Sequence, residues 1–93
     1  MREYELIFIA NPDLDSDALN DLVNRVQNWV TDGGGEVTKI DLWGKKKLTY
    51  IIRKHREGHY VFLHTKMAPT FLAQLERNLR LAEPILRFSL VTK

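Results

Sequence analysis

The sequence predicts an α+β domain: a four-stranded antiparallel sheet with two helices on one face, in the chain order βαββαβ, the ferredoxin-like arrangement. Three observations carry this. Four stretches have the apolar patterning of strands, and two others repeat apolar residues at helical spacing. Short runs of Asn, Asp, Pro and Gly separate them. The 93 residues make one domain, 1–93, large enough for a core of its own, with no repeat and no low-complexity segment.

Tyr4 to Ala10 forms the first strand. Leu6, Phe8 and Ala10 fall on one face, and Ile7 and Ile9 on the other, as in a strand central to its sheet. Asn11-Pro12-Asp13 ends it. Asp15 is placed to cap a helix, and Asp17 lies near the positive end of its dipole. Leu19, Leu22, Val23, Val26 and Val30 make the buried stripe, and Gly33-Gly34-Gly35 stops the helix. A second strand runs from Glu36 to Leu42, bends at Gly44, and resumes through Arg53. His55 to Gly58 reads as the turn into a third strand, His59 to Lys66. Pro69 opens a second helix, whose stripe is Phe71 or Leu72, Leu75 and Leu79; Glu83-Pro84 stops it. Ile85 to Val91 is the last strand, with Leu86, Phe88 and Leu90 inward and Arg87 and Ser89 outward. Because both helices cover one face, the apolar Ile7 and Ile9 point to the uncovered one. With Tyr60 and Phe62 of the third strand they form a candidate partner-protein face.

The chain has no cysteine, which removes disulfides, thiolate metal sites and a cysteine nucleophile. It shows no signal-peptide pattern and no apolar run long enough to span a bilayer, so the expectation is a soluble, intracellular protein without membrane contact. The net charge of +2 conceals an asymmetry. Residues 1–41 hold nine acids and three Arg or Lys, whereas residues 42–93 hold three acids and eleven. One end of the sequence is therefore fit to meet a polyanion.

That positive charge is concentrated in Trp43 to Arg56, with six Arg or Lys and no acid in a segment of strand-like pattern. Alternation puts Lys45, Lys47, Thr49, Ile51 and Arg53 on one face, a cationic row suited to phosphates. Lys46, Leu48, Tyr50, Ile52 and Lys54 take the other face, with an apolar centre expected along the core edge. The same lysines would also guard an edge strand against unwanted pairing. Arg2 and Arg87 lie on neighbouring strands, together or at opposite ends according to register. Arg80 closes the second helix, where a cation also favours the dipole. Tyr4, Trp43, Tyr50, Tyr60 and Phe62 are the aromatic candidates for contact, and Trp43, at the bend, is the one expected to be partly exposed.

Catalysis finds little support. His55, His59 and His64 have no carboxylate set at metal-ligand spacing and no nucleophile beside them, so no metal, cofactor, small-molecule substrate or reaction is expected. The glycine-rich turn leading to Val-x-Phe-Arg of acylphosphatases, which share the size and fold, is absent. The RNA-recognition motif is matched poorly around Gly58 and Tyr60. Gly33-Gly34-Gly35 follows a helix and precedes a strand, the reverse of a phosphate cradle.

Met1-Arg2-x-Tyr4-Glu5, Asn11-Pro12, Trp43-Gly44-Lys45-Lys46-x-Leu48-x-Tyr50, Ile52-x-Lys54, Gly58-x-Tyr60, Leu79-Arg80 and Ile85-Leu86-Arg87 together resemble the bacterial small-subunit ribosomal protein six family, nearly end to end. The resemblance implies a ferredoxin-like fold, no catalysis and a cytoplasmic place in the small ribosomal subunit. It also implies binding to the central domain of the small-subunit rRNA together with small-subunit ribosomal protein eighteen. Carried over by position, Arg2, Tyr4, Lys45, Lys46, Lys54 and Arg87 are candidates for RNA or partner contact. Lys47 and Arg53 are added by strand parity, and Trp43 and Arg80 by their local settings. Thr49 stands where the family usually has alanine, and Ile51 where it often has proline, so the second strand is expected to pair for longer. The sequence ends at Lys93, where some members continue into a charged tail, and no role for such a tail is expected. The competing reading is a free-standing ferredoxin-like module that binds another protein or a ligand, with the lysines serving only as edge protection.

Overall fold

Leu6, Phe8 and Ala10 are fully shielded from solvent in the middle of the sheet, which is why their strand alternates so regularly. The computed structural model describes residues 1–92. Its elements are β1 (Arg2–Ala10), α1 (Ser16–Asp32), β2 (Glu36–Ile52), β3 (His55–Met67), α2 (Leu72–Leu81) and β4 (Ile85–Thr92). The sheet has the order β2-β3-β1-β4 with every neighbour antiparallel, the expected ferredoxin-like topology.

The helix-facing side of the sheet is built from Tyr4, Leu6, Phe8 and Ala10 of β1 and Val61, Leu63, Thr65 and Met67 of β3. Leu22, Val23, Val26 and Val30 of α1 and Leu75 and Leu79 of α2 close over it in one core. Burying a Leu or Phe side chain this fully contributes about 1.5–3 kcal/mol. Thr65, the one polar residue so enclosed among those described, donates its hydroxyl to the Tyr4 carbonyl at 3.4 Å. The Asp15 carboxylate accepts from the Ala18 N–H at 2.8 Å and caps α1 as expected.

Four expectations need correction. Strand β1 begins at Arg2 rather than Tyr4. Pro69 opens a single 3-10 turn, Pro69–Phe71, and α2 proper begins at Leu72. The β2–β3 turn is Arg53-Lys54 rather than His55 to Gly58, so Arg53 and Lys54 lie on neither face of the strand. Both adopt left-handed backbone conformations (φ 49° and 69°), as a two-residue hairpin turn requires. Finally, Ile51 does not prolong regular pairing. The ladder lapses between Lys47↔Glu57 and Ile52↔His55, where residues 48–51 stand opposite Arg56 alone.

Candidate nucleic-acid interface

The uncovered side of the sheet carries Ile7, Ile9, Tyr60 and Phe62, all half-buried and joined through the pairs Ile7↔Phe62 and Ile9↔Tyr60. A bulge in β2 adds Trp43 to them. Leu42 pairs with Val61 and Gly44 with Tyr60, which leaves Trp43 as the extra residue between two rungs. Gly44 has φ +82°, a conformation that side chains resist, and so it lets the strand make this step. Trp43 consequently stacks with the aromatic side chains of β3 on this side. Its ring is 5.7 Å from Phe62 and 6.5 Å from Tyr60, within 4° and 7° of parallel. Its own exposure is 50 %. Lys46 places Nζ 5.9 Å from the Trp43 ring centre. Further along, His64 meets Phe62 edge-on at 4.7 Å and approaches Glu5 Oε1 at 3.9 Å.

The far end of the β2–β3 hairpin curls over the same side. The irregular stretch at residues 48–51 interrupts the β2–β3 ladder, and Gly58, which pairs with Lys46, leaves room for the Ile9 side chain. Leu48, Tyr50 and Ile52 therefore line a hollow with Ile9, Tyr60 and Arg87 on the uncovered side. This corrects the expectation that they sit along the core edge. Two polar ties hold the hairpin end. Arg87 Nη1 donates to the Tyr50 hydroxyl at 2.7 Å, and Arg53 Nη1 donates to the Glu83 carbonyl at 3.2 Å.

The expected basic residues divide into groups. Lys46 and Arg87 flank the aromatic strip on the uncovered side. Lys45 and Lys47 are exposed on the opposite side of the hairpin, opposite His59 and Glu57 in register. Arg53 and Lys54 form its tip. Arg2 is not with them: it pairs with Met67, whereas Arg87 pairs with Ile9, so the two lie at opposite ends of the sheet, roughly 20 Å apart. Arg80 is exposed on α2, in the helix layer, with Glu76 at 4.0 Å. Tyr4 is a correction. At 3 % exposure it is a core residue, and its parity with Leu6 and Phe8 already carried that signal. The sequence names Tyr50 among the aromatic candidates but gives no sign of its contact with Arg87, because the alternating series was expected to run along the core edge.

Among the described residues, no group of three or more His, Asp or Glu is placed to hold a metal ion, and no helix is long and apolar enough to cross a membrane. The interface can therefore offer three kinds of contact: flat aromatic surface, exposed ammonium and guanidinium groups, and a shallow apolar floor of about 200 Å³ beside Ile7, Ile9 and Arg87.

Residues 3–92 match the family model described as ribosomal protein S6. The chain is 41 % identical over its full length to the small ribosomal subunit protein bS6 of Moorella thermoacetica, covering 94 % of that protein. It is 42 % identical to the protein of the same description from Mycobacterium tuberculosis, covering 94 % of this chain and 91 % of that one. The crystal structure of 30S ribosomal protein S6 from Thermotoga maritima superposes with a TM-score of 0.94 at 28 % identity, covering 99 % of this chain and 87 % of that one.

Proposed function

The chain belongs to the ribosomal protein S6 family, a structural, non-enzymatic family of the small ribosomal subunit and hence of the cytoplasmic ribosome, and from that premise we propose that it binds the central domain of the small-subunit rRNA jointly with small-subunit ribosomal protein eighteen. The observation that carries this reading is the juxtaposition on one sheet face of a flat aromatic strip, Trp43 over Phe62 and Tyr60, with Lys46 and Arg87 at its margins.

The two halves of that arrangement suit different partners. Aromatic anchors on a half-buried apolar floor gain most from a second protein that removes them from water. Lys45, Lys47, Arg53 and Lys54, held around a folded hairpin rather than on a loose tail, suit the phosphates of a shaped RNA. RNA affinity should fall steeply with salt as counterions are released. It should rise when the partner adds its own contacts to the same site.

The test is a filter-binding titration of a central-domain RNA fragment, with and without small-subunit ribosomal protein eighteen, at two salt concentrations. Salt-sensitive binding that appears or strengthens with the partner is the expected result. Absence of binding under every condition would overturn the proposal.

A further inference from the structure

We propose that Tyr50 is a positioning residue that holds the Arg87 guanidinium in place for an RNA phosphate; this inference rests on the RNA-binding reading above. The two residues sit on opposite edge strands, with β3 and β1 between them. Three strand spacings amount to roughly 14 Å, a gap that only two long side chains can bridge. The curl of the hairpin end brings the Tyr50 ring over the sheet until its hydroxyl accepts from Arg87 Nη1 at 2.7 Å, with the guanidinium carbon 5.6 Å from the ring centre. Hydroxyl and ring thus grip the same cation. Neither contact has an evident role in the core, since Tyr50 is 59 % exposed and Arg87 lies outside the buried cluster.

The consequence for recognition is geometric. An exposed arginine samples many rotamers and loses that freedom when it binds. Arg87 has already surrendered much of it to Tyr50. A guanidinium has five N–H donors in a planar fork. With Nη1 engaged by the hydroxyl, the Nε–Nη2 edge remains to meet two oxygens of one phosphate. Tyr50 acts only through Arg87 and needs no contact of its own with the RNA.

The test compares wild type, Tyr50→Phe, Arg87→Gln and the double variant for binding to the central-domain RNA fragment with the partner present, across a series of salt concentrations. Loss of the hydroxyl alone is expected to weaken binding about threefold to tenfold. Arg87→Gln is expected to lower the slope of log affinity against log salt by about one. Tyr50→Phe should lower that slope part of the way, and the double variant should bind no worse than Arg87→Gln. A Tyr50→Phe protein with wild-type affinity, or one destabilised in thermal unfolding but with its salt slope intact, would overturn the positioning role. Independent, additive losses in the double variant would do the same. A wild-type protein that binds no RNA would instead overturn the reading on which this role depends.

Discussion

A Cβ atom on Gly58 would stand 2.3 Å from Cγ2 of Ile9, so these two residues can occupy their places only because position 58 carries no side chain. Ile9 belongs to the central strand and its branched side chain has little freedom to yield. The Ala10 carbonyl, 3.2 Å from the same point, closes a second direction. Gly58→Ala should therefore cost about 1–3 kcal/mol. The check is a urea titration, in which the midpoint should fall with the slope unchanged. Adding Ile9→Ala should recover part of the loss specific to Gly58→Ala, and strictly additive costs would show that the two positions do not compete for space.

Charge reversal at Lys45 and Lys47 together should leave the fold intact at a modest cost, because both side chains are exposed and form no ion pair or hydrogen bond among the described residues, while a reversed residue 47 would face Glu57 across the ladder. RNA affinity should drop, and the salt slope should fall by about two as two phosphate contacts are lost. Thermal unfolding and RNA titration of the same preparation separate the two effects. Full RNA affinity in this variant would remove the lysines from the interface.

Trp43→Ala removes the outer layer of the aromatic stack. In the isolated protein the cost should be modest, about 1 kcal/mol, since the ring is half exposed and rests on Phe62 and Tyr60 from one side only. Affinity for the partner protein should fall further, by at least about 2 kcal/mol, as for an anchor residue at an interface. Isothermal titration calorimetry with small-subunit ribosomal protein eighteen reads that difference. Equal affinities would place the docking surface elsewhere.

Asp15→Ala deletes the side-chain acceptor for the Ala18 N–H at the start of α1. The expected loss is about 1 kcal/mol in thermal unfolding, with Asp15→Asn recovering most of it. RNA binding measured well below the unfolding temperature should not change, since the Asp15 carboxylate serves the helix and forms no ion pair with the basic hairpin among the described residues, although the neighbouring Leu14 lines a hollow with Arg53.

Most of the fold was legible because its elements obey local rules. The alternation of Leu6, Phe8 and Ala10, the α1 stripe through Val30 and the cap at Asp15 each specify burial or conformation without distant help. The hairpin turn was not legible. Arg53-Lys54 has none of the Asn-Gly chemistry that marks a tight turn, and His55 to Gly58 offered a glycine to suggest one. The bond from Arg53 to the Glu83 carbonyl, made only in the folded domain, supports a conformation that the residue types disfavour. The candidate site divides similarly. The basic residues and the exposure of Trp43 follow from composition and the Trp-Gly bend. The Tyr50–Arg87 contact depends on how far β2 curls across two intervening strands, a property of the whole sheet.

The place of β1 bears on how the molecule comes into being. Of the four strands it is the first to be synthesised, yet it stands inside the sheet between β3 and β4. During translation its backbone hydrogen-bonding groups stay unmatched on one side until Met67 has left the exit tunnel, and on the other until Thr92 has. The nascent chain thus carries an open, strongly apolar strand for most of its elongation, a state prone to capture by other chains. The hairpin of β2 and β3 can pair locally beforehand and so provides the template on which the older strand closes.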